Sequence, residues 1–460
     1  MSSPPKFPES SVDRARLRHL LAREEAKFVS DHPKSAALYE RAQRSLVGGV
    51  PMNWMKKWAG RFPVFVAEAY GAHFLDVDGL NYVDFCLGDT GAMTGHSPAG
   101  FTDLMARQAK RGITLMLPTE DAVWVGEELT RRFGLPLWQF TLTATDANRF
   151  AIRIAREITQ RPKVLVFNYC YHGTVDEAYI VVENGVAGSR HGNLGPPVDP
   201  TLTTRVVEFN DLAALESALA HKDVACILAE PALTNVGIVH PKPGYWAAVS
   251  DLADKYGTLL LIDETHTICT GPGGYSRAHG LKPDLFVIGK AIGSGFPAAT
   301  FGMTTEVADR ITSRIRLEEC DTGGIGGTLA GNALSLAAIR ATLENVLTPE
   351  AFAHMIPLAE RWADGVSNAI AAVGLSWHVT RLGCRAEYLF RPHPPRNGGE
   401  AAAAMDFELE RFMHLFALNR GILLTPFHNM ALMSPATSTA DVDLHTEAFT
   451  SAVRELVASA

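Results

Sequence analysis

LLLIDETHTICTGPGGYSRAHGLKPDLFVIGKAIGSG, residues 259–295, contains two short apolar runs, 259–262 and 285–288, each bounded by glycine, proline or charge. Buried parallel strands have this length and composition. Each run delivers one ionisable residue at or just past its C-terminal end, Asp263 from the first and Lys290 from the second. Open α/β sheets bind ligands outside the carboxyl ends of their strands, so both side chains are expected at a ligand crevice. Taken alone, a carboxylate and a lysine on neighbouring strand ends fit a buried ion pair as well as they fit chemistry. The chemical reading is an amine nucleophile that condenses with a carbonyl, opposite an acid that holds a cationic ring nitrogen.

Working outward, alternating helices and apolar strands begin at about Phe101, with strands expected at 164–167, 205–209, 225–229, 259–262, 285–288 and 300–303. That alternation builds a mostly parallel sheet covered by helices. Before it stand an amphipathic arm with helices from about 12 to 28 and from Ser35, then short strands at 64–67, 73–77 and 82–85. After it, helices are expected at 331–346 and 349–373, strands at 386–390 and 422–425, and a last helix behind a Ser438-x-x-Asp441 cap. The expected division is an N-terminal arm with part of a small domain (1–75), a large α/β domain (76–330) and a C-terminal small α+β domain (331–460). Residues 1–12 are Pro/Ser-rich and expected to be mobile.

Composition narrows the function classes. With 460 residues and 47% hydrophobic content the chain buries large cores. A formal charge of −8 and no basic stripe argue against nucleic acid. Six cysteines without a CxxC spacing argue against zinc or a disulfide framework and fit a reducing compartment. No apolar leader and no membrane span are visible, so a cytoplasmic protein is expected.

Two further stretches carry site candidates. In TLTATDANRFAIRIAR, residues 141–156, Thr143-x-x-Asp146 reads as a helix cap, and the N–H groups and positive dipole end of the helix it opens make an anion site. GGIGGTLAGN, residues 323–332, is a glycine-rich loop that lacks the Gly-Lys-Ser/Thr of a P-loop. His96, in GHSP, reads as a turn residue satisfied by hydrogen bonding rather than a catalytic one.

IDE followed 27 residues on by the lysine of PDLFVIGK, with GSG behind it, resembles the signature of the class III pyridoxal-phosphate aminotransferases. The subgroup it is most similar to holds glutamate-1-semialdehyde aminomutase and several ω- and β-amino acid transaminases. Matches run in order from about Ser35 to about Pro435. The resemblance implies a fold-type I enzyme with pyridoxal phosphate on Lys290 and with Asp263 at the ring nitrogen. It also implies a phosphate site at Thr143, Ala144 and Thr145, an aromatic plate at Tyr171 of YHG, and Glu230 near the cofactor's phenolic oxygen or a substrate-binding group. Thr328 of one subunit is implied to reach the phosphate of its partner, which makes the protein a homodimer with shared active sites. Asn235 is a weaker candidate in the Glu230 loop. The chain departs from the pattern at Ala144, where glycine is usual, and at Thr265, where an aliphatic residue is usual. CTGPGG also replaces an arginine-containing turn.

The activity so implied is an aminotransferase, moving an amino group from an amine or amino acid donor to a keto acid or aldehyde acceptor by a ping-pong mechanism. An aminomutase or racemase on the same site is the alternative, and a non-enzymatic binding module is disfavoured by the presence of both Asp263 and Lys290. Relatives that act on amino acids usually place an arginine after the GGV turn as a fork for the carboxylate. Here Met55 stands at that position, with Trp54, Trp58, Lys56 and Lys57 around it. GILLTPFHNMALMSP likewise offers Phe427, His428 and Asn429 in place of a mobile arginine. A broad aromatic pocket is therefore expected, with Arg385, ahead of Arg381, as the remaining clamp candidate.

Overall fold

The computed structural model describes residues 12–195, 198–314 and 324–458. The start of the chain expected to be mobile, up to residue 11, and Cys320 lie outside the described residues. The chain divides into two compact units, one of residues 1–98, 350–394 and 403–460, the other of residues 99–349 and 395–402.

The first unit opens with α1 (Arg14–Asp31), where Asp13 accepts hydrogen bonds from the N–H groups of Ala15 and Arg16. α2 (Pro33–Ala42) follows, with proline in its first turn, where a missing N–H costs nothing. Then β1 (Val66–Tyr70), β2 (His73–Asp76) and β3 (Asn81–Asp84) form an antiparallel meander.

The second unit carries α3 (Phe101–Arg111), α4 (Glu120–Phe133), β4 (Leu137–Thr141), α5 (Ala144–Thr159), β5 (Lys163–Phe167), β6 (Ile180–Glu183), β7 (Val186–Ser189) and β8 (Thr204–Val207). It continues through α6 (Leu212–Leu219), β9 (Val224–Ala229), α7 (Tyr245–Tyr256), β10 (Leu259–Asp263), α8 (Gly274–His279) and β11 (Leu285–Ile288). β12 (Ala299–Met303), α9 (Thr305–Thr312) and α10 (Ala333–Asn345) complete its main run. Seven strands form one sheet in the order β4-β12-β11-β10-β9-β5-β8. Only β12 runs against its neighbours in that sheet, so it is mostly parallel. All residues of β9, β10, β11 and β12 are buried, which is why they read as unbroken apolar runs. β4 was absent from the expected strands: its burial alternates and Trp138-Gln139 interrupts the apolar pattern. The core packs α5, through Ala151, Ile154, Ala155 and Ile158, onto the sheet residues Val166, Leu228 and Leu261.

The chain then crosses between the units through α11 (Pro349–Ala372) and adds β13 (His378–Leu382) and β14 (Arg385–Leu389) to the first. α12 (Gly398–Ala402) belongs to the second unit, and α13 (Phe407–Leu418), β15 (Ile422–Leu423), β16 (Met430–Leu432) and α14 (Thr439–Val457) to the first. β15 joins the N-terminal meander by pairing parallel with β3. The Ser438/Asp441 pair forms a complete capping box on α14, and Val442, Phe449, Val453 and Leu456 are buried on one face. Cuts at 75 and 330 do not match these units. The first would split the β2–β3 hairpin, and the second would part α10 from α3 and α4, on which it packs.

Candidate active site

β10 and β11 are parallel neighbours, and Asp263 ends the first while Lys290 follows the second by two residues. Lys290 adopts a left-handed backbone conformation, φ 49°, rare for a side chain of its size and a kind of strain that collects at functional sites. Gly289 lies beside it, and a Cβ there would come within 3.1 Å of the Ala144 Cβ and 3.2 Å of its backbone nitrogen. Glycine thus lets the lysine turn lie close to the start of α5 without crowding it. That start is capped by Thr143, whose hydroxyl accepts from the Asp146 N–H at 3.2 Å. The expected phosphate residues Thr143, Ala144 and Thr145 therefore stand at the positive end of a 16-residue helix that packs on β11 and β12. Thr145 Oγ1 accepts from the Thr174 N–H at 3.1 Å, and Gly173 leaves room for it.

Asp263 is buried and accepts three hydrogen bonds, which leaves about one of its roughly four lone-pair sites open. Its Oδ2 accepts from Asn148 Nδ2 at 2.8 Å and from His172 Nδ1 at 3.0 Å, and its Oδ1 from the Thr265 N–H at 3.0 Å. Burial alone would raise this carboxyl, but the His172 ring and the Thr265 and Asn148 hydrogen bonds outweigh it and hold the group at about 2. Burial likewise disfavours the His172 imidazolium, yet the Cys170 sulfur and the Asp263 carboxylate carry it up to about 10. Asp263 is thus an ionised acceptor on a protein-built cationic partner. Its neighbour Glu264 has another task. Its carboxylate accepts from Thr267 Oγ1 and from the Tyr275 and Ser276 N–H groups, anchoring the start of α8.

Glu230 directly follows β9 and is buried, with Thr234 donating to its Oε2. Its Oε1 has no hydrogen-bond partner among the described residues. Tyr171 is half-buried in the loop after β5, and Asn235 donates to the Tyr169 carbonyl at 2.9 Å. Thr328 is exposed, in a loop where Gly324, Gly326, Gly327 and Gly331 all have positive φ. All these residues lie in the second unit.

The expected substrate residues lie in the first unit. Trp54 and Phe427 meet edge-on with ring centroids 5.1 Å apart, and Lys57 Nζ stands 5.8 Å from the Phe427 ring. Met55 is exposed. Arg385 is 1% exposed, donates to Thr90 Oγ1 at 2.8 Å and lies 3.9 Å from Asp89, while its Nε has no hydrogen-bond partner among the described residues. Arg381 is paired with Glu360 at 2.7 Å. His96 donates from Nε2 to Asp84 Oδ2 at 2.8 Å, consistent with its reading as a turn residue.

Four residues at the site were not singled out from sequence: Asn148, His172, Thr234 and His266. Asn148 had a signal, a polar residue inside the otherwise apolar stripe of α5, and His172 stood within the YHG triplet. Thr234 and His266 had none beyond their nearness to Glu230 and Asp263 in the chain.

The family profile of aminotransferase class-III matches residues 54–373. A glutamate-1-semialdehyde 2,1-aminomutase of Sorangium cellulosum is 33% identical over 89% of this chain and 94% of its own length. The crystal structure of a glutamate-1-semialdehyde-aminomutase from Pseudomonas aeruginosa is 51% identical, with a TM-score of 0.95 over 97% of this chain and 99% of that one. An omega-transaminase from Sphaerobacter thermophilus is 26% identical, with a TM-score of 0.84 over 92% and 97% of the two chains.

Proposed function

Because the chain belongs to the class III aminotransferase family, whose cofactor is pyridoxal phosphate, we propose that it is an aminomutase, shifting an amino group between neighbouring carbons of one substrate. The resemblance read from sequence put a ping-pong transaminase first and this activity second. One observation favours the reverse order: 51% identity across nearly the whole of both chains with a protein called a glutamate-1-semialdehyde-aminomutase, against 26% with the omega-transaminase.

The residues present fit the cofactor. An ionised, buried Asp263 suits a protonated ring nitrogen, the start of α5 suits a phosphate, and the unpartnered Glu230 Oε1 is a buried acceptor awaiting a donor. When bound, pyridoxal phosphate supplies a ring that accepts the electron pair left on the substrate carbon. The chain's own part is to hold and to move protons. The Lys290 amine would form the covalent link, and once released it would take up and give back the proton of the substrate carbon that bears the nitrogen. Asp263 keeps positive charge at the ring nitrogen, with His172 and Asn148 fixing the direction of its carboxylate. Tyr171 and Thr145 belong to the walls that orient the ring and its phosphate.

On this reading the substrate is an amino aldehyde with a distal carboxylate. Moving the amino group of 4-amino-5-oxopentanoate, which is glutamate-1-semialdehyde, to the adjacent carbon gives 5-amino-4-oxopentanoate with the same atoms. The test supplies that compound alone and follows the products by NMR. Its conversion to the isomer without a second amine or carbonyl compound is expected. Conversion only when a keto acid is added, with separate amine and carbonyl products, would overturn the proposal. That second outcome is the transaminase reading, which the edge-on Trp54–Phe427 pair and the exposed Met55 favour, because they offer apolar surface where an arginine fork would stand.

The protein is further proposed to act as a homodimer. Met116 and Leu117 are 77% and 74% exposed, and Ile113, Leu115, Val123 and Leu329 extend the same apolar character over the second unit. Exposed apolar residues of this kind support an interface between two copies of the chain.

A further inference from the structure

A second set of hydrogen bonds ends on the Lys290 amine. Its Nζ stands 2.6 Å from His266 Nε2, and His266 Nδ1 stands 2.7 Å from Thr234 Oγ1, whose hydroxyl donates to Glu230 Oε2. β9 and β10 are parallel neighbours, so the turns that follow them carry Glu230, Thr234 and His266 to the same end of the sheet. His266 is 6% exposed, Thr234 0% and Glu230 2%, which keeps water from competing for these bonds.

The directions of these bonds are determined. A hydroxyl has one proton to donate, and a carboxylate only accepts. Thr234 gives its proton to Glu230, so Oγ1 must accept from His266 Nδ1, and a neutral His266 then presents the lone pair of Nε2 to the lysine.

We propose that His266 is a catalytic base for Lys290, with Thr234 as the positioning residue that fixes its tautomer. The Nζ–H bond breaks, an Nε2–H bond forms, and the positive charge passes from ammonium to imidazolium. This frees the Nζ lone pair to attack a carbonyl carbon or to take a proton from substrate. The return step reverses it, with no change of oxidation state and no further reactant. Glu230 Oε2, 3.5 Å from Nδ1, faces the imidazolium so formed. The other acids near His266 in sequence are committed elsewhere: Glu264 to Thr267, Tyr275 and Ser276, and Asp263 to Asn148, His172 and Thr265. The inference rests on Lys290 as the cofactor lysine and on no particular substrate.

The experiment uses holoenzyme of wild type, His266→Gln, His266→Leu, Thr234→Val and Thr234→Ser. The visible band of the lysine-bound cofactor is titrated with pH without substrate, and its bleaching by an amine is followed by stopped flow from pH 5.5 to 9. Gln keeps an acceptor at Nζ but is no base. His266→Gln is therefore expected to titrate like wild type, to bleach about a hundredfold more slowly and to lose the acid limb of the rate profile. His266→Leu is expected to move the titration midpoint by about half a pH unit or more. Thr234→Val should bleach about tenfold more slowly and Thr234→Ser should recover wild-type rates within about twofold. An unchanged rate profile in His266→Gln, or Thr234→Ser as slow as Thr234→Val, would overturn the proposal. If no amine bleaches the wild type, the functional reading fails. The substrate-free titration then decides on His266 alone, and coincident midpoints for wild type and His266→Leu sink it.

Discussion

Asp263 stays ionised because its neighbours outweigh its burial, and that balance has a pH signature. Held at about 2, against an ordinary value of ~3.9, the carboxylate adds stability that is present above pH ~3.9 and lost as pH falls towards 2. His172, raised to about 10 from an ordinary ~6.5, adds stability that is full below pH ~6.5 and lost as pH rises through 10. Both contributions are whole only between about pH 4 and 6.5. The difference in Tm between wild type and Asp263→Asn is therefore expected to be widest near pH 6 and to narrow steadily towards pH 10. A difference that stays flat over that range would count against the ion pair. Asp263 and Lys290 were legible in the chain because apolar runs mark strand ends and strand ends mark the crevice. His172 and Asn148 were harder to see, because what gives them a role is a contact across 91 and 115 residues of sequence. Arg385 shows the opposite case. As a residue type it suits a carboxylate, but the hydrogen bond that engages it lies 295 residues away at Thr90.

Among the elements, α13 carries the clearest cost. Glu410 is buried on it, and burial, reinforced by Glu387 and Asp406 and opposed by His428, pushes the carboxyl up to about 7. The folded protein thus holds a proton that the unfolded chain releases above ~4.3, so stability falls as pH rises from there through 7. Glu410→Gln removes that penalty. At pH 8 it is expected to be more stable than wild type by on the order of 2 kcal/mol, with the advantage gone at pH 4, measured by urea unfolding. A variant less stable than wild type at both pH values would show that the carboxyl makes a bond amide cannot replace. The elements themselves were legible to the extent that they bury both faces. β9, β10 and β11 could be read directly, whereas β4 could not, since its partner strand β12, not its own composition, makes it a strand. The reversal of β12 had no signal either, because an apolar run carries no direction.

For the whole molecule, the shared site can be tested by mixing two inactive chains. Lys290→Ala lacks the amine, and Thr328→Glu sets a negative charge where the partner's phosphate is proposed to bind. In a mixed dimer, the site that keeps its own Lys290 would take Thr328 from the Lys290→Ala chain and be intact. Re-equilibrated equimolar mixtures are expected to regain about a quarter of wild-type activity, half the dimers being mixed and each having one good site. No recovery, with mixed dimers present by mass spectrometry, would place Thr328 in its own subunit's site. The order in which the ribosome delivers the chain bears on how it folds. The first unit is assembled from three separate segments, with β15 closing the sheet begun by β3 and α13 packing on α1. Between its first and last parts the whole second unit must be made, which takes roughly ten to fifty seconds at ~5–20 residues per second. For that time α1, with its buried Leu17 and Leu20, waits without α13, the helix on which it packs. Synthesis in chain order therefore makes most of the second unit before the last part of the first, and leaves residues 12–98 as the part most in need of a chaperone.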